Sequence, residues 1–205
     1  QAYVADSVVV TVPLGVLQQN LIEFVPELPE KKRDAISNIN LGNVNKVILR
    51  FPYKFWGDDK MFFIERENRS AFSTWFNNEV IVNEPVIYSI ISGDYSRELE
   101  KKSDEYVIEE AMKPLRAVYG EDIPNPDSFL ITRWGLEPYI LGSYSTAGYN
   151  QDDLTLRTEL AKSIENKIFF AGEATSVNEY GFTHSALNTG LREAKKIKEL
   201  YPLDL

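Results

Sequence analysis

The succession of apolar runs and turn residues predicts an α/β piece followed by an α+β piece, with the chain returning to the first piece at its end. Three observations carry this. Ser7 to Val12 is a continuous, largely β-branched run closed by Pro13 and Gly15, as expected of a strand covered on both faces and followed by a sharp turn. Met61 to Ser92 is dense in Phe, Ile, Val and Tyr and is broken at Arg66 to Arg69 and at Asn77 to Glu84, which reads as an antiparallel meander. Lys167 to Ala171 is a short apolar strand ending at Gly172, followed by a helix from about Thr183 to Leu200. The opening strand has no hairpin partner nearby, so the first and last elements are expected to belong together.

Between these landmarks the elements follow in order. Pro29 and Glu30 start a charged stretch in which Ala35, Ile36 and Ile39 share one face of a short helix ending near Gly42. A strand follows from Val44 to Phe51. Ser103 caps a long amphipathic helix running toward Tyr119, with Val107, Ile108, Ala111, Met112 and Leu115 at helical spacing and Gly120 as its stop. Pro114 is expected to kink this helix or to mark its real end. Asp127 to Trp134 reads as another strand, and Gly135 to Asp153 as a long loop rich in Gly, Tyr and Ser. There is no internal repeat, no low-complexity tract and no linker rich in Gly, Ser or Pro.

A chain of 205 residues that is 43% hydrophobic is long enough to bury one sizeable core or two small ones. Its 22 basic and 31 acidic residues leave a formal charge of -9, which argues against a nucleic-acid partner and favours cationic ligands, although solubility is the plainer use of an acidic surface. With no cysteine, disulfides, thiolate zinc sites and cysteine nucleophiles are excluded. No apolar run approaches the roughly 20 residues that span a bilayer, so no membrane partner is expected. The opening Gln-Ala-Tyr-Val is neither a signal nor a transit peptide; the compartment stays open, with the cytoplasm as the default.

Four segments could carry chemistry. Lys167-Ile-Phe-Phe-Ala-Gly-Glu-Ala-Thr175 is a buried strand ending in Gly-Glu, followed about ten residues later by a helix opening at Gly181-Phe-Thr-His184. A carboxylate at a strand end can accept hydrogen bonds from a sugar-like hydroxyl, and a helix N-terminus can face an anion; the alternative is a strand-turn-helix packing unit. Val9-Val-Thr-Val-Pro-Leu-Gly-Val16 could be no more than a buried strand. Gly42-Asn-Val-Asn-Lys46-Val-Ile-Leu-Arg-Phe51 places Lys46 in an otherwise apolar strand, where a lysine either snorkels from an edge or sits buried with a task. Arg133-Trp134-Gly-Leu-Glu-Pro-Tyr139 leads to Gly142-Ser-Tyr144-Ser145, aromatics in a Gly-rich stretch that could simply plug a core. His184 reads as a hydrogen-bonded structural group, and Asp58-Asp59 and Asp152-Asp153 as loop solvation with no further ligands for a metal.

Together these segments resemble the C-terminal portion of the flavin-containing amine oxidases of the polyamine and monoamine oxidase family. The resemblance covers nearly the whole chain. It implies that Glu173 binds the ribityl chain of FAD within the segment begun at Gly172, and that the helix opening at Thr183 faces the flavin pyrimidine, where its dipole favours negative charge on the reduced ring. It further implies that Thr11, Val12 and Pro13 line the cofactor, that Trp134 lies beside the isoalloxazine, and that Lys46 holds a water. Tyr144 and Phe182 match the aromatic pair that flanks the substrate amine through its ring faces. On this mapping, residues 1–42 and 153–205 form part of an FAD-binding domain, and residues 43–152 form a substrate domain built on a mixed or antiparallel sheet.

The implied activity is oxidation of a primary or secondary, polyamine-like amine to an imine, with electrons passed to oxygen as hydrogen peroxide. Ser143 stands where monoamine oxidases carry the cysteine that tethers flavin, so the FAD is expected to be non-covalent. Phe182 is aromatic where lysine-specific histone demethylases carry a small polar residue, which tilts the substrate toward free amines. No Gly-x-Gly-x-x-Gly occurs, so the N-terminal half that receives the pyrophosphate is expected to be missing and this chain to bind FAD poorly unaided. The rival expectations are a non-catalytic interaction module on the same fold and a demethylase-like enzyme acting on methylated lysine.

Overall fold

The computed structural model describes residues 1–65, 72–148 and 152–201. In chain order it contains β1 (Val8–Val10), α1 (Leu14–Gln18), α2 (Glu30–Asn38), β2 (Asn40–Leu41), β3 (Val44–Arg50), β4 (Met61–Phe63), β5 (Thr74–Asn77) and α3 (Glu79–Val82). There follow β6 (Val86–Ser92), α4 (Gly93–Leu99), α5 (Asp104–Tyr119), β7 (Ser128–Ile131), β8 (Ser145–Thr146), α6 (Asp153–Ala161), β9 (Ile168–Phe170), a 3-10 turn at Glu173–Thr175, and α7 (Thr183–Leu200). The mixture is the α/β plus α+β class expected.

The chain divides into two compact units, residues 1–42 with 137–205, and residues 43–136. The first boundary lies at 42/43. The second lies at 136/137 instead of 152/153, because β8 pairs antiparallel with β2 and two further backbone bonds tie the same stretch to Gly42. These run from Ser143 N–H to Gly42 O and from Gly42 N–H to Tyr144 O, each at 2.9 Å.

In the first unit β1 and β9 pair in parallel, Val8 opposite Ile168 and Val10 opposite Phe170, so the first and last strands do belong together. Val8 and Val9 are exposed nonetheless, contrary to the strand covered on both faces that the run implied: among the described residues this sheet has two strands only. The turn expected after Pro13 is the short helix α1, which sends Leu14 and Leu17 into a core shared with Ala35 and Ile36 of α2, Ile39, Leu160 and Phe170.

The second unit is a five-stranded sheet in the order β4-β5-β6-β3-β7, antiparallel at every pairing. Period-2 alternation sends Val47, Leu49, Ile87 and Ile91 to one face, where Val107, Ala111, Met112 and Leu115 of α5 cover them. Ser103 caps α5 by accepting from Tyr106 N at 3.3 Å. Pro114 does not end it: the helix runs five residues further and stops at Gly120, whose φ is +100°. The meander's second break holds α3; the break expected at Arg66 to Arg69 lies outside the described residues. Among those residues no helix is long and apolar enough to cross a membrane.

Candidate functional site

Parallel strands that end side by side leave a crevice beyond their carboxyl ends, where ligands of α/β sheets characteristically bind. Beyond β1 and β9 the first unit has a cavity of about 280 Å³ whose wall includes Thr11, Val12, Pro13, Tyr144, Gly172 and Glu173. Six residues singled out in the sequence therefore share one cavity. Pro13 ends the strand run and starts α1, while Gly172 takes φ +134° to turn the chain out of β9 and into the 3-10 turn. That turn is fixed by Thr189 of α7, whose hydroxyl accepts from Gly172 N at 2.9 Å.

Glu173 is the charged residue of the wall. Its Oε1 accepts Ser145 N–H at 2.9 Å, and its Oε2 accepts the Ser145 hydroxyl and Gly181 N–H, both at 2.6 Å. The carboxylate thus clamps three segments: the turn after β9, the start of β8 and the approach to α7. Gly181 is required at its place by φ +79°, and a Cβ there would come within 3.3 Å of Tyr144 Cδ2. Tyr144 accordingly lies against the approach to α7, 41% exposed.

Phe182 precedes α7 and is 59% exposed, stacked on His184 with centroids 5.3 Å apart. Its carbonyl accepts the Ser185 hydroxyl at 2.6 Å and Ala186 N–H at 3.2 Å, which closes the first turn begun at Thr183. His184 Nε2 lies 3.2 Å from Glu179 Oε2.

Arg157 was not singled out in the sequence. It is fully buried on α6 and donates to Ser145 Oγ at 2.7 Å, Ala174 O at 3.2 Å and Thr146 O at 3.2 Å. Its guanidinium carbon sits 3.5 Å from the centre of the Tyr180 ring. Burial pushes the guanidinium below its usual pKa, opposed by Asp153, at 3.6 Å, and by Glu173. The one sequence signal was the Asp153 to Arg157 spacing of a helical ion pair. Asp152 and Asp153 therefore start a helix instead of solvating a loop, Asp152 accepting Thr155 N–H at 3.2 Å. Asp58 pairs with Lys54 at 2.6 Å.

Lys46 and Trp134 belong to the second unit. Neither sequence alternative for Lys46 holds: β3 lies between β6 and β7, so it is not an edge, and the side chain is exposed, with Nζ 5.7 Å from the Tyr88 ring centre. Alternation explains this, because Asn45 and Val47 point to the covered face and Lys46 to the other. Trp134, 40% exposed, is held through its backbone N–H on Asn45 Oδ1 at 2.9 Å. Behind it lies a second network that the sequence did not reveal, in which buried Glu100 accepts from Asn43 Nδ2 at 3.0 Å and Asn45 Nδ2 at 2.8 Å.

The chain is similar to known proteins. Residues 1–198 match the family model described as flavin containing amine oxidoreductase. The chain is 36% identical over 206 residues to lysine-specific histone demethylase 1 homolog 1 of Oryza sativa subsp. japonica, covering 96% of this chain and 24% of that protein. It is 38% identical over 191 residues to a protein of Arabidopsis thaliana named "Probable polyamine oxidase 4", covering 92% of this chain and 37% of that protein. A solved structure of putrescine oxidase redesigned in its cofactor binding superposes with a TM-score of 0.77 at 19% identity, covering 96% of this chain and 43% of that one. The chain thus spans less than half the length of each.

Proposed function

The chain belongs to the flavin-containing amine oxidoreductases, and from that premise we propose that it is the part of an FAD-dependent enzyme that oxidises a primary or secondary, polyamine-like amine to an imine with production of hydrogen peroxide. The observation that carries the reading is the Glu173 carboxylate in the wall of a cavity beyond two parallel strand ends. Such a wall suits a stretch of a dinucleotide: strand ends at Thr11 to Pro13 and Gly172 for close approach, and an acceptor for a polyol hydroxyl. FAD, when bound, would supply the two-electron acceptor that the protein's own side chains lack.

The residues do the rest by placement. Glu173 accepts from a ribityl hydroxyl, and the first turn of α7 at Thr183 presents its dipole to developing negative charge. Tyr144 and Phe182 offer ring faces to the substrate amine and exclude water around it, Trp134 packs against the cofactor, and Lys46 holds a water through its ammonium. The partners are a small amine, oxygen and the N-terminal half of the same enzyme, which would bring the pyrophosphate-binding turn.

The test is an FAD titration of this chain and of the longest natural reading frame that contains it, followed by an amine-dependent peroxide assay. We expect weak binding by the chain alone and turnover by the longer form, with Lys46→Met slowing that turnover. Activity on spermine or spermidine supports the polyamine reading. Activity confined to a methylated-lysine peptide would replace it with a demethylase, a reading that the relatives named for histone demethylation favour equally by identity. Flavin binding by neither form would leave an interaction module.

A further inference from the structure

We propose that Arg157 is a positioning residue that fixes which oxygen of Glu173 faces a ligand, acting through the hydroxyl of Ser145; the inference rests on the reading of the cavity as a flavin site. A guanidinium can only donate, so at 2.7 Å the Ser145 oxygen must accept from Arg157 Nη1. The single Ser145 proton is then committed to Glu173 Oε2 at 2.6 Å, and the relay from Arg157 through Ser145 to Glu173 has one polarity.

The same oxygen, Oε2, also accepts Gly181 N–H at 2.6 Å, which uses its second lone pair. Oε1 accepts Ser145 N–H alone among the bonds described, at 2.9 Å, and keeps one acceptor position. A hydroxyl donor in the cavity, such as that of a polyol chain, is therefore directed to Oε1. Arg157 stands behind the cavity wall and holds the frame of this choice: it ties Ser145 and Thr146 of β8 to Ala174 beside Glu173, and its flat face covers Tyr180, next to Gly181. A lysine could keep the charge and one of these bonds, but not the fork that reaches three acceptors on two segments.

Two measurements decide it. In the chain itself, the amide proton shifts of Ser145 and Gly181 report their bonds to Glu173, with or without flavin. Arg157→Met should move both toward unbonded values, and Arg157→Lys should restore them in part. Unchanged shifts in Arg157→Met overturn the proposal. If Arg157→Met fails to fold, Arg157→Lys and Ser145→Ala carry the same comparison, and intact Glu173 bonds at Gly181 in both overturn it.

FAD titrations of the same variants, made in the longest natural reading frame that contains the chain and well below their unfolding midpoints, read the consequence. The dissociation constant should rise about tenfold in Arg157→Met and recover in part in Arg157→Lys. It should rise no further when Arg157→Met is added to Glu173→Gln, since both act on one carboxylate. An affinity loss that adds fully to that of Glu173→Gln assigns Arg157 a separate structural role and overturns the proposal. Absence of flavin binding by every form counts against the flavin reading alone, and the amide shifts still decide the positioning.

Discussion

Ser145 and Glu173 are joined twice, the backbone N–H of one reaching Oε1 of the other at 2.9 Å and its hydroxyl reaching Oε2 at 2.6 Å. A carboxylate gripped in this way, with Gly181 N–H as a third donor, is part of the fold before it is part of a binding site. Glu173→Gln replaces one of its acceptors by an NH₂ group that faces donors. We expect a loss of about 1 to 3 kcal/mol in unfolding free energy by urea denaturation followed by circular dichroism. An unchanged midpoint would show that the three donors find other partners.

The corresponding centre of the second unit is Asn45, 3% exposed, whose amide donates to Glu100 Oε2 at 2.8 Å and Ser96 Oγ at 3.0 Å while its oxygen accepts Trp134 N–H. Asn45→Ala leaves the buried Glu100 carboxylate short of a donor and frees the Trp134 backbone. We expect destabilisation of about 2 to 3 kcal/mol. Trp56 and Trp75 are buried and Trp134 is half-exposed, so acrylamide quenching of fluorescence should rise in the variant through Trp134. Quenching equal to that of the wild type would mean that Asn45 does not hold this segment.

What could be read in advance follows from where periodicity speaks. Helix α5 and strand β3 carry apolar residues at spacings of 3.6 and 2 and were legible nearly to their ends. Helix α6 was not, since Leu154 is exposed and its buried positions are Leu160 and a charged residue, Arg157, so no apolar stripe marks it. Of the cavity wall, Gly172 and Glu173 stood out locally as a strand end followed by Gly and a carboxylate, whereas Thr11 to Pro13 read as a plain buried strand and were set beside them only by the family resemblance. Arg157 and Glu100 were not: each makes its hydrogen bonds with residues outside its own element, and a charged residue in a charged stretch reads as solvated.

Two glycines of the cavity region separate steric from conformational demand. A Cβ on Gly15 of α1 would lie 2.5 Å from Ile140 O and 2.7 Å from Leu141 O, backbone atoms that cannot rotate away. At Gly172 a Cβ would meet nothing within 4 Å, but φ is +134°. Gly172→Ala should therefore cost only backbone strain, about 1 to 3 kcal/mol, while Gly15→Ala must part α1 from the 140–141 segment and cost more. Thermal unfolding of both variants checks the order; the reverse order would mean that α1 shifts freely.

Lys32 gives a prediction in pH. It is 2% exposed, donates to Glu159 O at 2.9 Å and Leu160 O at 2.7 Å at the end of α6, and its ammonium lies 4.1 Å from the Phe170 ring centre. Desolvation pushes its pKa from 10.5 down to about 8, against the attraction of Glu159. The folded value lies below the unfolded one, so between pH 8 and 10.5 the unfolded chain binds the extra proton and stability rises with pH; below about pH 8 both states are protonated and the penalty is complete. The two carbonyl acceptors and the ring favour the charged form, which limits the effect to at most about 3 kcal/mol. Other groups titrate in the same window, and the comparison with Lys32→Met removes them. The stability of the wild type relative to this variant should climb from pH 7.5 to 10.5 in urea denaturation, and a flat difference would mean that Lys32 keeps an ordinary pKa because helix carbonyls and ring fully replace its water.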